Sequence, residues 1–205
     1  MRNHGVILIG CQGCGKDTQT DILANQHGFV PIIMSTVLKA VTDENIKHQI
    51  NLCISRGELV PDKITIAALR EHLNQRVAHN ANIVFNGVPR QRDQAEMLEQ
   101  LLIERGMSRQ YFLFETLTDE VAIARINDRI SKMKAASLTP RGDDLDPQVV
   151  LNRLETFRNR FPELERYLRV FARASIREVP AKLKIQEAAE FIWQAIQPSG
   201  QVVRV

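Results

Sequence analysis

The chain has 205 residues, 44% of them hydrophobic and 5% aromatic, with a formal net charge of +3. That composition supplies one full core and argues against two independent domains. Scattered basic residues and few aromatics favour a small anionic ligand over nucleic acid. No apolar run approaches the roughly 18 residues of a membrane span, and the N-terminus lacks a signal-peptide profile, so the expectation is a cytoplasmic protein with no membrane partner.

Val6 to Ile9 is a continuous apolar run that predicts a buried strand. It leads into Gly10-Cys-Gln-Gly-Cys-Gly-Lys16-Asp17-Thr18 and then a helical stretch. A glycine-rich turn between a strand and a helix is a phosphate cradle, because its backbone turns N–H groups inward at the positive end of the helix and Lys16 reaches the outer phosphates. Asp17 stands where most such loops carry a Ser or Thr whose hydroxyl ligates Mg²⁺. Either Asp17 points away and favours the helix N-terminus, or it is itself a magnesium ligand. Cys11 and Cys14 form a C-x-x-C within the loop. They are small residues filling a tight turn, or a redox or metal pair. With Cys53 as the third cysteine, a disulfide framework is not expected, and neither a second cysteine pair nor a histidine cluster completes a zinc site.

Phe29 to Ile33 predicts the second strand, and from Ser35 to about His79 several helices follow in place of one. They break at Gly57-Glu-Leu-Val-Pro61-Asp62, where Asp62 is the expected helix N-cap ahead of Ile66, Leu69, Leu73 and Val77 at helical spacing. Ile83 to Phe85, Tyr111 to Phe114 and Ile176 to Val179 complete five apolar runs. Their alternation with helical patterns predicts a parallel sheet covered on both faces. Asp119 to Lys134 predicts a helix with Arg125 and Arg129 on one face, an arrangement that is ordinarily solvated. Ala135 to Asp144 reads as a loop. A long helix follows from about Pro147 to Val170, its continuity put in question by Pro162. The last helix spans about Ile185 to Ile196, and the residues from Pro198 onward read as a disordered tail.

Taken in order, the phosphate loop, Gly57-x-Leu59-Val60-Pro61-Asp62, Asn86-Gly87-Val88-Pro89-Arg90 with Gln94, Arg125-x-x-x-Arg129, Arg141-Gly-Asp143-Asp144 and Arg153-Leu154 resemble the adenylate kinase family of nucleoside monophosphate kinases over nearly the whole chain. The resemblance implies a single α/β P-loop domain, a three-layer sandwich with a five-stranded parallel sheet. It also implies a helical monophosphate-binding insertion at about 34–80, a short lid at about 130–141, and a monomer. The activity implied is transfer of the γ-phosphoryl of ATP to a nucleoside monophosphate, with AMP as the leading acceptor. A UMP/CMP-type kinase, a catalytically weak nucleotide-binding protein on the same fold, and a kinase for a non-nucleotide metabolite stand as alternatives.

Carried over by position, the resemblance assigns Gly10, Gly13, Cys14, Gly15, Lys16, Asp17 and Thr18 to the ATP phosphates, Arg125 to the ATP adenine and Arg129 to its phosphates. It assigns Met34, Lys39, Glu58, Leu59, Val60, Gly87, Arg90 and Gln94 to the acceptor, and Arg141 and Arg153 to a clamp on the transferring group. Lys16, Arg90, Arg129, Arg141 and Arg153 form the catalytic set. Asp143 and Asp144 are either surface acids or, as the resemblance implies, organisers of the lid arginines. Magnesium would accompany ATP on Asp17 and, through water, on Asn86. The 11 residues from Ile130 to Pro140 leave no room for a long lid with four zinc-binding cysteines, so no zinc is expected.

The chain departs from the family pattern at three places. Met34 replaces a base-contacting threonine, and Lys39 replaces a phosphate-binding arginine, keeping the charge and losing the fork. Asn86 replaces the aspartate that orients water around Mg²⁺. With Asp17 in the loop, the negative charge has moved from the strand end to the phosphate loop.

Overall fold

The computed structural model describes residues 3–171 and 176–197; the tail expected from Pro198 lies outside the described residues. The five apolar runs form strands β1 (His4–Ile9), β2 (Val30–Ile33), β3 (Ile83–Asn86), β4 (Ser108–Phe114) and β5 (Ile176–Val179). All ladders are parallel and the order is β2-β3-β1-β4-β5. Within β1, Ile7 and Ile9 pack into one core, while Val6 and Leu8 pack into another on the opposite face. That is why the run carries no polar alternation.

Helices cover both faces. On the side of Ile7 lie α4 (Asp62–Arg76), α5 (Arg92–Glu104) and α8 (Pro147–Phe171), contributing Leu69, Leu98 and Leu164 among others. On the side of Val6 lie α1 (Lys16–His27), α6 (Asp119–Ala135) and α9 (Ile185–Ile196), contributing Leu23, Ile126 and Ile192. The short helices α2 (Met34–Lys39) and α3 (Glu44–Ser55) stand with α4 between β2 and β3, and α7 (Gly142–Leu145) lies between α6 and α8. From β1 the chain builds β2 and β3 on one side and then crosses over to build β4 and β5 on the other, so the loop after β1 opens at the switch point where such sheets hold ligands. Among the described residues no helix is long and apolar enough to cross a membrane.

Two local readings are corrected, and the question of Pro162 is answered. Pro61 occupies the N-cap of α4, and Asp62 is its first helical residue. The Asp62 carboxylate instead accepts from Gln91 Nε2 at 2.7 and 2.6 Å, tying the inserted helices to the start of α5. The stretch 135–144 is not all loop, since Gly142 opens α7. Helix α8 passes through Pro162 without ending, held by Leu164 and Leu168 in the core on one face.

Gly57, after α3, has φ +70° and lies against α8, where an added Cβ would stand 2.9 Å from the Val149 carbonyl oxygen. Beside it, Asn152 Nδ2 donates to the Arg56 carbonyl at 3.1 Å. Neither the dihedral nor the contact admits a side chain, so Gly57→Ala lowers unfolding free energy by about 1–3 kcal/mol. Urea denaturation checks this, and an unchanged midpoint would mean that the turn relaxes freely.

Candidate active site

The phosphate loop is built by the end of β1 and the start of α1. Gly13 has φ +78° and Gly15 φ +106°, and Gly15 is the N-cap of α1 with no side-chain cap. The first N–H groups of α1 are therefore presented to an anion instead of to a capping side chain. Lys16 folds back over the loop, and its Nζ donates to the carbonyls of Gly10 and Cys11, both at 2.7 Å, and to Cys14 Sγ at 3.3 Å. Arg125 Nη1 donates to the Gly13 carbonyl at 3.4 Å, holding the loop against α6. Thr18 is exposed beside it.

Asp17 does not point away. Its Oδ1 accepts from Asn86 Nδ2 at 2.7 Å, and its Oδ2 meets Arg129 Nη1 and Arg141 Nη2, each at 3.1 Å. Burial alone would raise its carboxyl, but Arg141, Asn86, Lys16 and Arg129 outweigh that and hold it below the usual carboxylate value. Asp17 thus joins the strand end, α6 and the N-cap of α7.

Asp144 is the second hub. It is buried, with its Oδ2 accepting from Arg129 Nη2 at 2.7 Å and its Oδ1 from Arg153 Nη1 at 3.0 Å. Asp143 Oδ2 lies 2.9 Å from the same Arg153 nitrogen. These acids are therefore not spare surface charge: they fix the forks of Arg129 and Arg153, one from each side of the 136–141 turn.

Arg90 follows Pro89 at the end of β3. Its Nε donates to the Gly87 carbonyl at 3.0 Å and its backbone N–H to Gln94 Oε1 at 2.9 Å. Solvent reaches Arg90 through the open cleft. The walls still desolvate its guanidinium, which with Arg153 and Arg141 nearby is lowered to about 10 and stays charged at neutral pH.

A cavity of about 670 Å³ connects these groups. It is lined by Gly10, Gly13, Cys14, Gly15, Lys16, Asp17 and Thr18 from the loop, by Leu59, Asn86, Gly87 and Arg90 on one side, and by Arg125, Arg129, Arg141 and Arg153 on the other. Gln12, Thr156, Phe157 and the apolar Val179, Pro180 and Leu183 also line it, and these were not singled out from sequence. Position at the carboxyl end of β5 was the available signal for the last three.

The remaining expected acceptor residues are not on the cavity wall. Met34 is buried behind Gly87, whose missing Cβ would be 3.4 Å from the Met34 Cβ. Lys39 is exposed at the end of α2 and Glu58 is exposed beside Leu59. Val60 and Gln94 are buried.

No group of three or more His, Cys, Asp and Glu side chains is arranged to hold a metal ion among the described residues. The loop does fit magnesium shared with a phosphate ligand, a mode that needs only one or two protein oxygens. Asn86 must turn its amide N–H toward the Asp17 carboxylate, which leaves its Oδ1 to accept from a metal-bound water.

A family model described as adenylate kinase matches residues 8–171. The chain is 31% identical over 189 residues to the adenylate kinase of Jannaschia sp. (strain CCS1), covering 91% of this chain and 96% of that relative. It is 31% identical over 166 residues to the adenylate kinase of Thermus thermophilus, covering 80% and 82%. With the adenylate kinase of Deinococcus radiodurans the identity is 33% over 145 residues, covering 70% and 73%.

Proposed function

Because the chain belongs to the adenylate kinase family, we propose that it transfers the γ-phosphoryl group of ATP to a nucleoside monophosphate, with AMP the preferred acceptor. The observation that carries this reading is the convergence of Lys16, Arg90, Arg129, Arg141 and Arg153 on one cavity beyond the phosphate loop. Phosphoryl transfer asks the protein mainly to align two polyanions and offset their repulsion. Planar guanidinium forks suit phosphate oxygens.

In this reading the N–H groups of Gly13 to Thr18 and the Lys16 ammonium hold the ATP phosphates, Lys16 leaving the Gly10 and Cys11 carbonyls to do so. Arg125 lies along the adenine, near the apolar wall of Val179, Pro180 and Leu183. Arg90 grips the acceptor phosphate, while Leu59 meets the acceptor nucleoside, with Glu58 and Val60 beside it shaping that stretch of wall. Gln94, behind the cavity wall, steadies Arg90 through its Oε1, and its remaining amide N–H reaches the acceptor base only where the wall opens around a bound acceptor. Arg129, Arg141 and Arg153 close on the group in flight, with water excluded as the 136–141 turn folds over the cleft. Asp17 and, through water, Asn86 would hold magnesium, which would offset phosphate charge there.

An acceptor other than AMP is the second reading. It is favoured by the withdrawal of Met34 behind Gly87 and by the exposure of Lys39 away from the cavity.

A coupled assay of ADP formation with ATP, Mg²⁺ and each of AMP, CMP, UMP, GMP and their deoxy forms tests the activity. AMP should give the highest kcat/KM, and no turnover with any acceptor would leave a nucleotide-binding protein. Two adenosines joined by five phosphates should bind at least about 100-fold more tightly than ATP, since both sites are filled at one ordering cost. Equal affinities by calorimetry would count against two adjoining sites.

A further inference from the structure

We propose that Cys11 and Cys14 are a redox site within the phosphate loop: a hydroperoxide joins them in a disulfide, and the disulfide stops the loop from accepting nucleotide phosphates. This rests on the loop being the ATP site.

The two thiols are placed for it. Cys14 N–H donates to the Cys11 carbonyl at 3.4 Å, closing a four-residue turn. Such a turn holds its outer Cα atoms within about 7 Å, and a disulfide spans about 4.4–6.8 Å. Both cysteines are free. Both are buried, but Cys14, 9% exposed, borders the open cavity, while Cys11 is 2% exposed in the core behind it. Lys16 Nζ, 3.3 Å from Cys14 Sγ, puts a cation beside one sulfur and not the other. Burial would raise the Cys14 thiol, but its hydrogen bond with Cys11 and the charge and hydrogen bonds of Lys16 outweigh this and lower it. The same hydrogen bond and burial push Cys11 up. Cys14 is therefore the attacking sulfur and Cys11 the resolving one.

The chemistry balances with the peroxide as the two-electron oxidant. Cys14 thiolate attacks the outer peroxide oxygen, the O–O bond breaks, and the departing alkoxide or hydroxide takes a proton, leaving a sulfenic acid. Cys11 sulfur then attacks Cys14 sulfur. The S–O bond breaks, and the hydroxide leaves as water with the Cys11 proton.

Cys14 sulfur sits directly over the strand end, where a Cβ on Gly10 would be only 2.7 Å from it. Tying that sulfur to Cys11 fixes both ends of the turn that holds Gly13 and leads into Gly15, whose N–H groups must be presented to phosphate, and removes a partner of Lys16. Cys53, on α3, has no part in this.

The test exposes the protein to hydrogen peroxide with and without MgATP, maps cross-links by mass spectrometry without reduction, and measures MgATP affinity by calorimetry against each protein's untreated sample. A Cys11 to Cys14 cross-link should weaken MgATP at least about tenfold, dithiothreitol should restore the affinity, and MgATP present during oxidation should slow cross-linking. Cys53→Ser should respond in the same way. Cys11→Ala, in which Cys14 can reach the sulfenic acid but not the disulfide, should lose much less MgATP affinity than the wild type at equal exposure, each measured against its own untreated sample. A confirmed cross-link with unchanged affinity overturns the inference alone, as does oxidation of Cys53 with no Cys11 to Cys14 cross-link. Absence of MgATP binding by the untreated, reduced protein overturns the nucleotide site itself, and the inference with it.

Discussion

With Arg90 assigned to the acceptor phosphate as proposed, replacing it with alanine should lower turnover at least about 10²-fold, because that phosphate would lose a fork held in place before any substrate arrives. The Gly87 carbonyl and the Gln94 side chain fix Arg90 from two directions, so little is left for the acceptor to organise. Arg90→Lys keeps the charge and loses the planar pair of donors, and its activity should fall between wild type and alanine. Steady-state kinetics at saturating ATP, with thermal unfolding alongside, reads both. A variant with normal kcat and only a lowered Tm would remove Arg90 from the site.

The second large effect concerns Asp17. If its carboxylate serves magnesium, Asp17→Ala raises the Mg²⁺ concentration for half-maximal activity by about 10–100-fold, while Asp17→Ser keeps a ligand oxygen and a smaller defect. Asn86→Asp should partly rescue Asp17→Ala, since the two side chains are 2.7 Å apart and one carboxylate there is needed. The four proteins of the double-mutant cycle measure that coupling. Asp17 also holds Arg129 and Arg141, so loss of activity alone does not decide the point; the Mg²⁺ titration does. An unchanged Mg²⁺ requirement in Asp17→Ala would confine Asp17 to pairing those arginines.

The centre of the sheet was legible in the sequence because strands buried on both faces must be apolar throughout, as Val6 to Ile9 and Ile83 to Phe85 are; the edge strands β2 and β5 are partly exposed, and β5 carries Arg177 and Glu178. The phosphate loop was legible because its glycines and lysine are required by backbone geometry and charge. Helix boundaries were less so: Asp62 has the side chain of an N-cap, but Pro61 with φ −50° already occupies that position. The four-residue α7 is too short to show a period. What Asp17 and Asp144 do could not be read locally, since the arginines they hold come from α6, from the N-cap of α7 and from α8. Depth was also hidden: Met34, Val60 and Gln94 fall within the expected acceptor segments, yet they lie behind the cavity wall.

Asp144 also bears on the 136–141 turn proposed to fold over the cleft. By binding Arg129 on α6 and Arg153 on α8 at once, its carboxylate staples the two ends of the intervening segment together, and only a short tether is left between fixed posts. The entropy of closing a loop grows with the length between its anchors. A tether anchored this way has surrendered most of its freedom when the chain folds, and less remains to be lost each time a ligand is covered. If this segment is the cover proposed for the cleft, its small reach, which limits how much surface it can bury, is matched by a small ordering penalty at each closure.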